Sequence, residues 1–202
     1  MRKLSLPLLA LSVLTLGACE TSSLTPEQQA PVSESSTAFD GTFGGIDTAQ
    51  SVISFTGKSN IVNHVGKFNK YTADVTLDAG EPANLELALI EAEIDMTSIE
   101  VDAAGLQGHL AKEDFFDTAK YPKATFMSDI ITSKGNNQYE ITGDLTIKDV
   151  TKPIVFTAEI TNEYLTAHYD LPRADFGIGK DSYGEKLLEP TVPVDIKLVF
   201  QK

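Results

Sequence analysis

The feature that most constrains this chain is an alternation of apolar and polar residues with period two, sustained from about residue 50 to the end. Ile53 and Phe55 alternate with Ser54 and Thr56, and Tyr71, Ala73, Val75 and Leu77 alternate with Thr72, Asp74 and Thr76. Successive side chains on a strand point to opposite faces, so each such segment carries one apolar face and does not suit an amphipathic helix. The pattern returns in Leu85 to Asp95, where Leu87 and Leu89 give way to Ile90, Ala92 and Ile94, a change of face that predicts a bulge. It continues through Ala124, Phe126, Ser128 and Ile130, through Tyr139, Ile141, Gly143, Leu145 and Ile147, and through Ile154, Phe156, Ala158 and Ile160. Leu165, Ala167, Tyr169 and Leu171, then Val194, Ile196, Leu198 and Phe200, complete eight predicted strands.

Turn signals separate these runs: Asp78-Ala79-Gly80-Glu81-Pro82, Ser133-Lys134-Gly135-Asn136-Asn137, and Lys148-Asp149-Val150-Thr151 ahead of Lys152-Pro153. Only Asp102 to Asp117 breaks the alternation. There Leu106, Leu110 and the pair Phe115-Phe116 fall at near-helical spacing before Tyr121-Pro122, which predicts one short helix that caps the fold. Eight strands with short links and one capping helix imply an all-β domain closed as an antiparallel β-barrel, because closure removes the exposed edges.

The N-terminal segment reads differently. Met1-Arg2-Lys3 and the apolar run Leu4 to Leu16 suit a signal peptide, and Leu16-Gly17-Ala18-Cys19 resembles a bacterial lipobox. Residues 1–18 are therefore expected to be a lipoprotein signal, Cys19 the lipidated residue, and 19–41 a Ser/Thr/Pro/Gln-rich flexible tether ahead of a domain over 42–202. Two or three acyl chains, each buried methylene contributing about 0.8 kcal/mol, would anchor the protein on a membrane without spanning it. The expected location is the bacterial cell envelope, exported and lipid-anchored, on the periplasmic face. An ordinary secretory signal with an incidental cysteine is the competing reading.

Composition excludes several function classes. Cys19 is the only cysteine, so no thiol remains for a disulfide, a zinc site or a nucleophile. The formal charge is −13, and loss of Arg2 and Lys3 would leave 14 basic against 29 acidic residues, or −15. Such a surface repels nucleic acid and anionic headgroups alike. No nucleophile elbow, phosphate-cradling loop or catalytic set is visible, so the chain is read as a non-enzyme without a cofactor. His64, His109 and His168 are too scattered to suggest a metal site.

Several motifs are more specific. Ile94-Asp95-Met96-Thr97-Ser98-Ile99, Gly108-His109-Leu110, Asp114-Phe115-Phe116-Asp117, Tyr121-Pro122 and Ala124-Thr125-Phe126 occur in one order and spacing. Gly143-Asp144-Leu145-Thr146-Ile147-Lys148 with Thr151-Lys152-Pro153 follows, and then Arg173-Ala174-Asp175-Phe176-Gly177. With these motifs the chain, from about Asp47 to Lys202, resembles the YceI-like proteins. The resemblance implies a lipocalin-like barrel with a long apolar channel, and a guest of the polyisoprenoid class, such as an isoprenoid quinone or prenyl phosphate. The sequence departs from the family at Gln50, where a histidine is common, at Pro172, where an asparagine is common, and at Asp149, a common turn glycine. Asp149 is expected to tolerate positive φ there.

The inward set of the alternation contains Ile53, Phe55, Ala92, Ile94, Phe126, Ile141, Leu145, Phe156 and Leu198, the candidate channel lining. Alternation does not distinguish a hollow barrel from a filled one, and both readings stay open. Phe115 and Phe116 are candidates for a plug or a gate, and His109 for fixing the capping helix or touching a headgroup. Arg173 could meet a lipid oxyanion in a bidentate fork or form a structural pair with a nearby carboxylate. The leading functional expectation is a membrane-anchored carrier or store for an isoprenoid-type lipid. An envelope interaction or scaffold module without a small ligand is the alternative, and an enzyme acting on a lipid headgroup ranks last.

Overall fold

In the computed structural model the described residues are 43, 45–77, 84–179 and 187–201. The expected signal peptide, Cys19, the tether and the Asp78 to Pro82 turn lie outside the described residues. Among the described residues ten strands form one antiparallel sheet: β1 (Val52–Lys58), β2 (Asn63–Phe68), β3 (Tyr71–Thr76), β4 (Leu89–Asp95), β5 (Ile99–Val101), β6 (Lys123–Gly135), β7 (Gln138–Ile147), β8 (Val150–Ile160), β9 (Tyr164–Pro172) and β10 (Thr191–Val199). Their order is β3-β4-β6-β7-β8-β9-β10-β1-β2-β5. The sheet curls into a lipocalin-like half-barrel whose concave side carries the buried apolar residues.

The expectation of eight strands is corrected to ten. The two unforeseen strands are β2, whose inward residues His64, Gly66 and Phe68 include one large apolar side chain, and β5, which is three residues long. Both continue neighbours that were foreseen. Only Asn69 and Lys70 separate β2 from β3, and only a 3-10 turn, Met96–Ser98, separates β4 from β5. Because β3 pairs with β4 and β2 with β5, the β2–β3 segment runs antiparallel beside the β4–β5 segment in two half-length pairings. The kinks are fastened by side chains: Asp95 accepts from Thr97 N at 2.9 Å, and Ser98 Oγ accepts from the backbone N–H groups of Asn69 and Lys70. These contacts account for part of the Asp95 to Ile99 motif.

Two further expectations are corrected, and the expected short helix is found. The change of face at Leu85 to Leu89 is a 3-10 turn, Leu85–Leu87, capped by Asn84, rather than a bulge. The bulges lie in β6, between Ser128 and Ile130 and between Ser133 and Gly135. The first shifts the alternation by one residue, so Ile130 is 57% exposed while Ile131 is 3% exposed. The helix predicted within Asp102 to Asp117 is the short α1 (Leu106–Leu110). Gly105 precedes it at φ 82 without a side-chain cap, and Gly108 adds a second poor helix former. At the β7–β8 hairpin the positive φ falls on Lys148 (59°), not on Asp149, while Tyr121 Oη donates to Asp149 Oδ2 at 3.1 Å. Gln50 lies in a surface turn and donates to Asp47 Oδ2 at 2.6 Å.

Candidate functional site

Inward faces that fill a small barrel here leave space. A cavity of about 810 Å³ occupies the concave side of the sheet. Close-packed interiors hold few voids larger than one water molecule, so a volume of this size is a built feature rather than a packing fault. The structure places all nine inward candidates, Ile53, Phe55, Ala92, Ile94, Phe126, Ile141, Leu145, Phe156 and Leu198, on its wall. Ala73, Ile90, Leu171, Val194 and Ile196 are further wall residues that the sequence reading did not single out, although each belongs to an alternating run.

At the far end the described apolar side chains are buried together. Leu85, Ile131, Ala158, Ile160 and Phe200 are buried in the same apolar cluster and do not line the cavity. Phe43 covers this end, its ring centroid 4.5 Å from that of Phe200. The opposite end is open. There the β1–β2 turn and the segment leading into β10 lie side by side, joined by the Ser59–Leu188 bridge and by Glu189 N donating to Lys58 O at 2.9 Å. Ile61, Val62 and Leu187 line the cavity yet are 80%, 49% and 37% exposed, which marks this end as the mouth. Ser59 Oγ accepts from the N–H groups of Ile61 and Val62 and donates to Val62 O, holding the tip in a tight turn.

Polar wall residues collect at the mouth: Lys58, Ser59, His64, His109, Asp114, Arg173 and Glu189. His64 Nδ1 lies 2.9 Å from Asp102 Oδ1, and Asp102 Oδ2 accepts from Val65 N at 2.9 Å. The Val65 N–H and then His64 hold the Asp102 carboxyl below its ordinary value. Tyr169, deeper on the wall, has its phenol pushed up by burial and so stays neutral. Phe115, Phe116 and His109 share the mouth end, with the His109 ring edge-on to Phe115 at 4.8 Å between centroids.

Arg173 is 4% exposed, and among the described residues its side chain binds backbone carbonyls. Its Nε donates to Glu189 O at 2.8 Å, Nη1 to Ile178 O at 2.9 Å and Gly179 O at 3.2 Å, and Nη2 to Leu188 O at 3.2 Å. The guanidinium therefore ties two segments of the mouth together. The rest of its motif serves the same clasp: Arg173–Phe176 form a 3-10 turn, Phe176 anchors it at 1% exposure, and Gly177 closes it at φ 65. Gly179 N donates to Asp114 O at 2.7 Å, which joins the clasp to the segment after α1.

The comparisons with known proteins agree with this architecture. The YceI-like domain model matches residues 45–200, well over half of the chain. The chain belongs to the YceI-like family. A UPF0312 protein of Vibrio cholerae is 38% identical over 104 residues, covering 48% of this chain and 53% of that protein. A UPF0312 protein of Shewanella oneidensis is 34% identical over 121 residues, covering 58% of this chain and 62% of the relative. The matched stretch thus spans little more than half the length of these relatives. Among solved structures, Burkholderia cenocepacia BcnA superposes with a TM-score of 0.67 at 26% identity, covering 76% of this chain and 98% of that one. A polyisoprenoid binding domain from Saccharophagus degradans shares the fold, with a TM-score of 0.58 at 15% identity, covering 79% of this chain and 99% of its own. Within the YceI-like frame, the motif residues of this chain now have structural duties: Asp95, Thr97 and Ser98 fasten a strand kink, and Arg173 to Gly177 clasp the mouth.

Proposed function

We propose that this protein binds a long apolar lipid of the isoprenoid type, tail inward, as a carrier or store at the bacterial cell envelope, where it is exported and held by acyl chains on Cys19. The observation that carries the reading is the distribution of polarity along the cavity. Apolar side chains form the body of the wall, and the charged groups stand at the open end. An amphiphile matches that gradient, with its tail against Ile141, Phe156 and Leu198 and its head near Lys58, His64 and Glu189. The volume lies within the roughly 300–1,000 Å³ of small-molecule sites. A tail drawn from a bilayer gains little from the hydrophobic effect, so shape and the mouth groups must supply selectivity. The ligand class named for the Saccharophagus degradans domain is of the same kind, although that likeness extends only to fold.

Native mass spectrometry of the full chain, gently extracted from membranes, tests both parts of the proposal. The expected spectrum shows a covalent acyl mass on the peptide bearing Cys19 and a dissociable lipid-sized adduct on the domain. A domain repeatedly free of any adduct, which also takes up no added polyprenol, would sink the carrier reading.

A further inference from the structure

Two glycines lie against rings of the cavity wall, Phe55 and Phe126, and are there for space and not for backbone freedom. Gly66 in β2 and Gly143 in β7 are absent from the residues with positive φ, so their conformations suit any L-residue. What excludes a side chain is an aromatic ring. Gly66 stands directly opposite Phe55 in the β1–β2 ladder, and residues so paired share a face of the sheet. A methyl carbon built on Gly66 would overlap Phe55 Cζ and lie 2.6 Å and 2.9 Å from Cε1 and Cε2. At Gly143 such a carbon would lie 2.6 Å and 2.8 Å from Cζ and Cε2 of Phe126 and would also strike the backbone carbonyl of Met127. Both rings are therefore laid down against the wall, each in a berth left by a missing side chain.

We propose that Gly66 is a specificity-determining residue: by letting Phe55 lie flat, it sets the bore wide enough for a methyl-branched chain. This rests on the lipid-binding reading above and adds a choice among lipids. The displaced group would be the far end of a side chain rather than backbone, so a methyl at Gly66 lifts the ring into the lumen while the ladder persists. Gly143 offers no such clean perturbation, because its methyl meets the Met127 carbonyl. A narrowed bore discriminates against branched tails before straight ones, and a single methyl against an apolar wall is worth about tenfold or more in affinity.

The test compares wild type, Gly66→Ala, and the double variant Gly66→Ala with Phe55→Leu, by displacement of a fluorescent lipid. The competitors are a tetraprenyl alcohol and a straight-chain alcohol of equal carbon number. Gly66→Ala is expected to lose about tenfold or more for the tetraprenol while changing little for the straight chain, and the smaller leucine side chain in the double variant is expected to restore tetraprenol binding. Equal tetraprenol affinity in wild type and Gly66→Ala overturns the inference and leaves the carrier reading standing. So does an equal loss for both alcohols that the second substitution does not restore. A wild type that binds neither alcohol removes the carrier reading, and this inference with it. Should Gly66→Ala fail to fold, Phe55→Leu alone decides: a wider bore must raise affinity for the branched alcohol relative to the straight one, and an unchanged ratio refutes the proposal.

Discussion

Replacing Arg173 by methionine should destabilise the whole domain and loosen the mouth first. Methionine keeps an unbranched side chain of similar reach but removes the charge and every donor. Among the described residues, four hydrogen bonds to the carbonyls of Ile178, Gly179, Leu188 and Glu189 are lost together. Bonds to a charged group contribute about 1.5–3 kcal/mol each, so simple addition gives roughly 6–12 kcal/mol. That sum is too high for two reasons. The native guanidinium already bears a desolvation cost that methionine escapes, and the abandoned carbonyls lie near the mouth, where water reaches them once the clasp parts. The expected loss is therefore about 3–5 kcal/mol, roughly half of that sum. Urea unfolding monitored by circular dichroism gives the total, and hydrogen exchange gives its location. The amides of Ile178, Gly179 and Glu189, which donate to Arg173 O, Asp114 O and Lys58 O, should lose protection before those of β6 and β7 do. A loss below about 1 kcal/mol, or uniform exchange across the sheet, would refute the clasp.

Two further outcomes follow from particular contacts. His168 Nδ1 lies 2.7 Å from Asp195 Oδ1 on the outer face, and that partner, with Asp170 beyond it, raises the histidine above its ordinary 6.5. A raised folded value means its stabilising contribution is fully present below about pH 6.5 and is lost as pH rises through the folded value. NMR titration should find the midpoint above 6.5 in the native protein and lower in Asp195→Asn; an unchanged midpoint would contradict the pairing. Across the β6 bulge, Ile131→Ala should cost about 2–5 kcal/mol in urea unfolding, whereas Ile130→Ala should stay within about 0.5 kcal/mol. Equal costs would mean the register shift is misplaced.

The strands that could be read from the sequence are those whose inward positions are filled by large apolar residues, as in β7 and β8, where Ile141, Ile147, Ile154 and Ile160 keep strict alternation. What escaped was whatever breaks that rule for a structural reason. β2 is written with His64 and Gly66 on its inward side because one serves the mouth and the other receives an aromatic ring. Ile130 and Ile131 look equivalent in sequence, and only the pairing partner reveals that a bulge exchanges their faces. The same limit applies to the site. Wall residues could be listed from alternation, but the existence of a hollow depends on which side chains lie along the wall and which cross it. That information resides in rotamers and in contacts between strands distant in sequence. Arg173 showed its charge in the sequence but not its task, since the carbonyls it binds come from segments that only the fold assembles.

A hollow whose far end is filled by Leu85, Ile160 and Phe200 would impose a direction on traffic. A lipid guest of the proposed kind would enter hydrocarbon first and depart polar end first, so loading and unloading would share one doorway and could not overlap in time. The floor would also act as a ruler: once the innermost unit touched it, each further unit of chain would protrude past the Ile61–Val62 lip into whatever medium lies outside.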